Sequence, residues 1–67
     1  MQLHQVLRMI SNNVPIVLFD STSKVINKGL DKASLNIDLY EEEVFQIACG
    51  SYDGDVRIAA IHIMLRK

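Results

Sequence analysis

The chain has 67 residues, of which 49% are apolar and 22% are charged, and its formal net charge is -1. This composition is typical of a globular domain and excludes a disordered or fibrous chain. Its only cysteine, Cys49, cannot form an internal disulfide, so a chain this small is expected to gain stability by oligomerisation. We expect one small α+β domain over residues 1–67.

The charge distribution bears on partners and location. The lysines and arginines are spread along the chain, which argues against a nucleic-acid partner. Lys24 and Lys28 are interpreted as residues that protect an exposed sheet edge from pairing with another chain. The longest apolar run, from Ile58 to Leu65, is too short to cross a membrane, and no signal-peptide pattern opens the sequence. We therefore expect a cytoplasmic protein without membrane contact.

The first predicted element is a helix over residues 2–11. Its apolar residues recur at helical spacing: Leu3, Val6, Leu7 and Ile10. Asn12 and Asn13 are expected to end it, because asparagine tolerates the left-handed conformation found after helix C-termini, and Pro15 opposes continuation.

Two strands are predicted next. Residues 14–20 are rich in β-branched and aromatic side chains, and residues 20–23 carry turn-forming side chains. Residues 24–28 return as a weaker strand closed by Gly29, which completes a hairpin. The apolar residues of the segment 30–42 follow neither the helical nor the strand periodicity, so this segment is interpreted as a loop with one helical turn.

A second hairpin closes the chain, with strands over residues 43–50 and 55–65 joined by a turn containing Asp53-Gly54. A loop of two or four residues would place one set of side chains on one face: Phe45, Ile47, Cys49, Val56, Ile58, Ala60, His62 and Met64. The other face would carry Val44, Gln46, Ala48, Ala59, Ile61 and Ile63. The predicted fold is one N-terminal helix packed on a four-stranded, mainly antiparallel sheet of two hairpins.

The last strand is apolar at both odd and even positions, so both of its faces need cover. We expect the helix to cover the face that carries Val56. Ile61, Ile63 and Leu65 then form a surplus apolar patch, which predicts an interface with a second copy, a dimer being favoured. Tyr52, at the hairpin tip, is a further candidate interface residue.

No pattern in the sequence indicates catalysis, a metal site or a cofactor. The predicted register separates Cys49 from His62 by roughly 13 Å, too far for a nucleophile and base or a shared metal. Cys49 is interpreted as a small buried hydrophobe and His62 as a polar residue satisfied locally or at an interface. The acidic residues match no calcium loop. We expect a protein that is not an enzyme.

The order of these features resembles small uncharacterised proteins of phages and conjugative elements of Gram-positive bacteria. The likeness rests on the helix pattern, the strand Val17-Leu18-Phe19-Asp20, the pair Lys28-Gly29 and the segment Glu43-Val44-Phe45-Gln46-Ile47. The longer, doubly apolar last strand departs from it. The resemblance implies a mobile-element origin and binding to a host protein, and it assigns no catalytic residue.

Two functions follow from these expectations. The first is a non-catalytic interaction module that self-associates through its C-terminal strand and binds or inhibits a host or phage protein, for example as an anti-defence inhibitor. The alternative is an oligomer that binds a small ligand or nucleotide in a pocket between subunits, with His62, Arg57 and Tyr52 as ligand-binding residues.

Overall fold

A computed structural model describes all residues, 1–67, and shows a small α+β fold with one four-stranded mixed sheet. The elements are α1 (Leu3–Leu7), β1 (Ile16–Phe19), β2 (Val25–Gly29), two 3₁₀ helices (Lys32–Ser34 and Ile37–Leu39), β3 (Val44–Tyr52) and β4 (Asp55–Leu65). The strand order is β2-β1-β4-β3. Two antiparallel hairpins are joined by parallel pairing of β1 with β4, so the predicted α+β class and both hairpins are confirmed.

The helix is much shorter than predicted, because α1 spans only 5 residues. Beyond Leu7 the chain forms tighter bonds between residues three apart, such as Ile10 N–H to Leu7 C=O at 3.2 Å. The Lys32 ammonium donates to the carbonyls of Leu7 and Ile10 at 3.1 and 2.6 Å, which satisfies backbone oxygens at the helix end. Asn13 does adopt the left-handed conformation expected of it, with φ of 65°.

The core lies on one face of the sheet, between the strands and a layer made by α1 and the segment after β2. Its buried members are Leu3, Val6, Leu7, Ile16, Leu18, Leu35, Leu39, Ile63 and Leu65. Two 3₁₀ helices hold the covering segment, and each has a side-chain cap: Asp31 accepts from Ser34 N–H, and Asn36 from Asp38 N–H. The predicted loop of residues 30–42 therefore contains two short helical turns instead of one.

The register of the second hairpin differs from the predicted one. The turn is the tight two-residue Asp53-Gly54 type, both residues having positive φ (51° and 80°), and Tyr52 pairs with Asp55. The next pair is Ser51 with Ala59, so three residues of β4, Val56–Ile58, have no counterpart on β3. Because side chains alternate between the two faces of a sheet, a shift of three residues places each β3 side chain on the same face as the β4 side chains that were predicted for the opposite face.

This shift overturns the predicted face assignment. Ile63 and Leu65 are fully buried under the chain's own helix layer, and Ile61 packs partly buried beside them. Val56, predicted to lie under the helix, is instead 89% exposed. The surplus apolar surface of the last strand is thus covered within a single chain.

Self-association through the C-terminal strand stays a prediction, although two of the side chains expected at the interface are buried. β4 lies inside the sheet, with β1 on one side and β3 on the other. β1 pairs with β4 only at residues 61–64, so residues 55–60 have no strand on that side. The core-facing side chains Ile63 and Leu65 have no surface to offer a partner.

Candidate interaction surface

The outer edge of β3 is the largest unpaired strand edge in the molecule. β3 is the last strand of the sheet and pairs only with β4. Its first residue is covered, because Val44 N–H donates to the Met1 carbonyl at 2.8 Å, and Phe45 forms a bulge next to it. From Gln46 to Tyr52 no strand pairs with the outer side, and along this stretch only the Ser51 carbonyl has a side-chain partner, His62 Nε2 at 2.9 Å. This stretch is called the β3 edge below.

The β3 edge carries no charge and no proline, two devices by which proteins normally prevent pairing at an exposed edge. Ile47 lies opposite the buried Ile63, yet it is 51% exposed, because the helix layer does not reach this far. Cys49, opposite Ile61, is exposed as well, which corrects the prediction that it is buried. The neighbouring bulge residue Phe45 is 43% exposed, with the Arg66 guanidinium 5.7 Å from its ring centre.

The opposite edge of the sheet, formed by β2, is protected. Lys24 precedes this strand and Lys28 lies within it, as the edge-guard interpretation predicted. The chain then folds back beside β2, where Asn36 N–H donates to the Asn27 side-chain oxygen at 2.9 Å. Of the two outer strands, β3 therefore has the less protected edge.

His62 lies on the face of the sheet opposite the core, where its ring crosses from β4 to β3. The ring lies over Gly50, whose missing side chain makes room: a Cβ there would be 2.3 Å from a ring carbon. Nε2 lies 2.9 Å from the Ser51 carbonyl, and the Phe19 ring centre is 4.9 Å from that of His62. His62 is thus satisfied locally, as predicted.

Tyr52 and the hairpin tip make contact with β2. The Lys28 ammonium forms a 2.6 Å ion pair with Asp53 and lies 5.9 Å from the Tyr52 ring centre. β2 and β3 are opposite edges of the sheet, so the tip must reach across its open face. Tyr52 is consequently half-buried within its own chain, and its predicted role at an interface stays a prediction.

The three residues predicted to line a ligand pocket do not lie around a common space. His62 faces Ser51 and Phe19, while Tyr52 faces Lys28. The Arg57 side chain is exposed and pairs with Asp55 two residues earlier, at 3.1 Å. No cavity is lined by any of the three.

Cys49 and His62 lie closer along the sheet than predicted, because Cys49 pairs with Ile61, the neighbour of His62. Adjacent residues of a strand point to opposite faces, so the thiol and the imidazole are separated by the sheet. They form no nucleophile and base pair. No group of three or more His, Cys, Asp or Glu side chains is placed to hold a metal ion.

Three carboxylates have a pKa below the usual range, each through local hydrogen bonds. The Thr22 hydroxyl and then the Lys24 backbone N–H lower the pKa of Asp20. The terminal ammonium of Met1 lowers the pKa of Glu43, and the Arg57 guanidinium lowers that of Asp55. All three are at the surface and stabilise turns or strand ends.

These features define a small α+β protein whose longest open strand edge lies on β3. No protein-family model, no curated protein and no solved structure matches the chain. The resemblance to mobile-element proteins therefore stays a prediction. The structure contains no helix with the length and apolar character needed to span a bilayer.

The β3 edge is absent from the sequence-based predictions, although a signal is present. Residues 44–52 contain no charged side chain, whereas the segment around β2 contains two lysines. What the sequence does not reveal is that β1 inserts beside β4, which leaves β3 on the outside. The edge emerges only once the strand order is known.

Proposed function

We propose that this protein is a non-catalytic interaction module that self-associates through the β3 edge. The observation that carries the proposal is the uncharged stretch from Gln46 to Tyr52, which has no strand on its outer side and exposes the apolar side chain of Ile47 next to that of Phe45. An exposed edge of this kind is a template for another strand, because its free N–H and C=O groups are satisfied by pairing.

A second copy of the chain fits this edge. Two identical strands related by a two-fold axis pair antiparallel, and each contributes the same residues. The free stretch is centred on Cys49, so pairing along its whole length places Cys49 opposite Cys49 of the partner and Gln46 opposite Tyr52. No like charges face each other within this arrangement, because the stretch has none.

Self-pairing also buries the apolar surface that the helix layer leaves uncovered. Ile47 and Cys49 lie on the core side of the sheet, where a paired strand would continue the apolar row begun by Ile61 and Ile63. The result is one continuous sheet through both copies. Binding of a host or phage protein, as an inhibitor for example, would use the same edge in a heterologous complex.

The test is the mass in solution, measured by light scattering during size exclusion across a dilution series. We expect the wild type to approach twice its chain mass of 7.6 kDa at high concentration. Ile47→Lys should be a monomer, since a lysine on an edge strand opposes pairing. Circular dichroism checks that the variant remains folded, and Cys49→Lys provides a second, independent substitution on the same edge.

The matched control is Leu30→Lys, which changes an equally exposed apolar residue directly after β2, at the other edge of the sheet. This variant should associate as the wild type does. A monomeric wild type at every concentration contradicts the proposal. So does a folded Ile47→Lys variant that keeps the wild-type mass.

A further inference from the structure

The molecule has a single cleft, which lies between α1, the first 3₁₀ helix and Tyr40, and shares no residue with β3. Its volume is about 450 Å³, within the range of small-molecule sites. The lining residues are His4, Leu7, Arg8, Asn12, Lys32, Ala33 and Tyr40. No acidic side chain is among them, although the whole chain carries a net negative charge.

Two cations of this cleft have no carboxylate partner. Four ion pairs occur in the structure, and none uses Arg8 or Lys32. Arg8 is exposed at the rim, while Lys32 is half-buried. A concave surface with two unneutralised cations and no anion attracts a negatively charged group.

Lys32 is held in place before any ligand arrives. Its ammonium donates to the carbonyls of Leu7 and Ile10, and since an ammonium has three N–H groups, one remains free. The short helix that carries it is fixed by Asp31, whose carboxylate accepts from the Ser34 backbone N–H at 3.0 Å and hydroxyl at 2.9 Å. A preordered donor loses little conformational entropy on binding.

We propose that this cleft binds a small organic anion, in which a carboxylate or phosphate group is attached to an apolar body. The anionic group would lie between Lys32 and Arg8, which donates two parallel N–H groups to a planar or tetrahedral oxyanion. The apolar body would contact Leu7, Ala33 and the Tyr40 ring. This inference does not depend on the β3 edge, because the two surfaces have no residue in common.

The experiment is an amide NMR titration of the full chain with benzoate, phenyl phosphate and inorganic phosphate, with neutral benzamide as the matched control. We expect saturable shifts at the cleft residues with benzoate or phenyl phosphate, weaker shifts with phosphate and none with benzamide. The comparison of benzoate with phenyl phosphate identifies the preferred anionic group. Arg8→Met should raise Kd about tenfold, as expected for loss of a charged hydrogen bond.

Lys24→Met removes an exposed lysine outside the cleft and should leave Kd unchanged. Equal shifts with benzamide, no saturation, or equal weakening by Lys24→Met and Arg8→Met would each overturn the proposal. The monomeric Ile47→Lys variant should bind benzoate as the wild type does, so failure here is distinguishable from failure at the β3 edge.

Discussion

At the scale of single residues, Gly50 shows how an absent side chain positions a functional group. The His62 ring occupies the space above Gly50, and its Nε2 lies 2.9 Å from the Ser51 carbonyl. A glycine within a strand normally weakens it, because glycine loses more backbone entropy on folding. Here the close approach of an imidazole explains why a larger residue is unsuitable.

Gly50→Ala is therefore predicted to destabilise the protein, although alanine is the better residue for most strands. Its Cβ would lie 2.3 Å from one ring carbon and 2.7 Å from Nε2 of His62, so the ring must move and lose its bond to Ser51. We expect a loss of about 1–3 kcal/mol in the free energy of unfolding, measured by urea titration.

The double variant provides the control for this prediction. In a chain that already carries His62→Ala, Gly50→Ala should cost little, because the clash has been removed. Equal costs in both backgrounds would mean that the effect arises from the backbone instead of the ring.

A second residue-scale prediction concerns pH and Asp20. Hydrogen bonds from the Thr22 hydroxyl and the Lys24 backbone lower its folded pKa beneath the ordinary 3.8. A lowered folded pKa means that this stabilisation is present above the unfolded pKa and is lost as pH falls through the folded pKa. The urea midpoint of the wild type should exceed that of Asp20→Asn at neutral pH, and the gap should narrow as the pH falls below about 4.

Asp38→Asn is the matched control, since the Asp38 side chain accepts no hydrogen bond in the structure. Its urea midpoint should follow that of the wild type across the same range. A gap between wild type and Asp20→Asn that stays constant down to the most acidic pH would contradict the proposed role of the Asp20 carboxylate.

At the scale of elements, the register of the β3–β4 hairpin decides which residues are core. The bounds of β4 follow directly from its sequence, because its β-branched run is bracketed by an Asp-Gly turn and charged residues. Its face assignment does not follow, because the unmatched residues Val56–Ile58 shift the pairing by an odd number. The residue types of Val56–Ile58 do not predict this irregular pairing.

Ile63→Ala and Val56→Ala test this register. The structure predicts a loss of about 2–5 kcal/mol for Ile63→Ala, since Ile63 is fully buried in the core cluster. Val56→Ala should cost almost nothing, because that side chain contacts mainly solvent. The register predicted from the sequence alone implies that Val56→Ala costs more stability than Ile63→Ala. Urea titration of the two variants therefore distinguishes the two registers.

The helix illustrates a different limit of sequence reasoning. The periodicity of Leu3, Val6 and Leu7 correctly identifies the buried face of α1. The helix ends at Leu7, earlier than predicted, and the carbonyls of Leu7 and Ile10 accept hydrogen bonds from Lys32, which is distant in sequence. The local pattern identifies the apolar side of the helix and does not contain this tertiary contact.

At the scale of the whole molecule, the sheet order determines what is open to partners. The apolar residues Ile61, Ile63 and Leu65 of the last strand predict a surplus patch that a second copy covers. The structure contradicts that location, because the chain's own helix layer buries Ile63 and Leu65 and leaves Ile47 on β3 uncovered. The expectation of self-association thus persists as a proposal, at a different strand.

The measurement that tests this proposal most directly is covalent capture at Cys49. In the proposed two-fold pairing the two Cys49 residues lie directly opposite, and antiparallel partners have Cα atoms about 4.5–5.5 Å apart, within the range of a disulfide. Mild oxidation followed by non-reducing electrophoresis should therefore yield a linked dimer. In a chain carrying Cys49→Ser, the substitution Leu30→Cys moves the thiol to the protected edge and should yield none.

The decisive comparison is the rate of linkage in the wild type and in Ile47→Lys. Pairing through the β3 edge predicts rapid capture of the wild type. It also predicts loss of capture in the variant, which keeps its thiol but has a lysine on the edge that opposes pairing. A Cys49 that stays reduced in the wild type, or that links equally fast in a folded Ile47→Lys chain, would contradict self-association through the β3 edge.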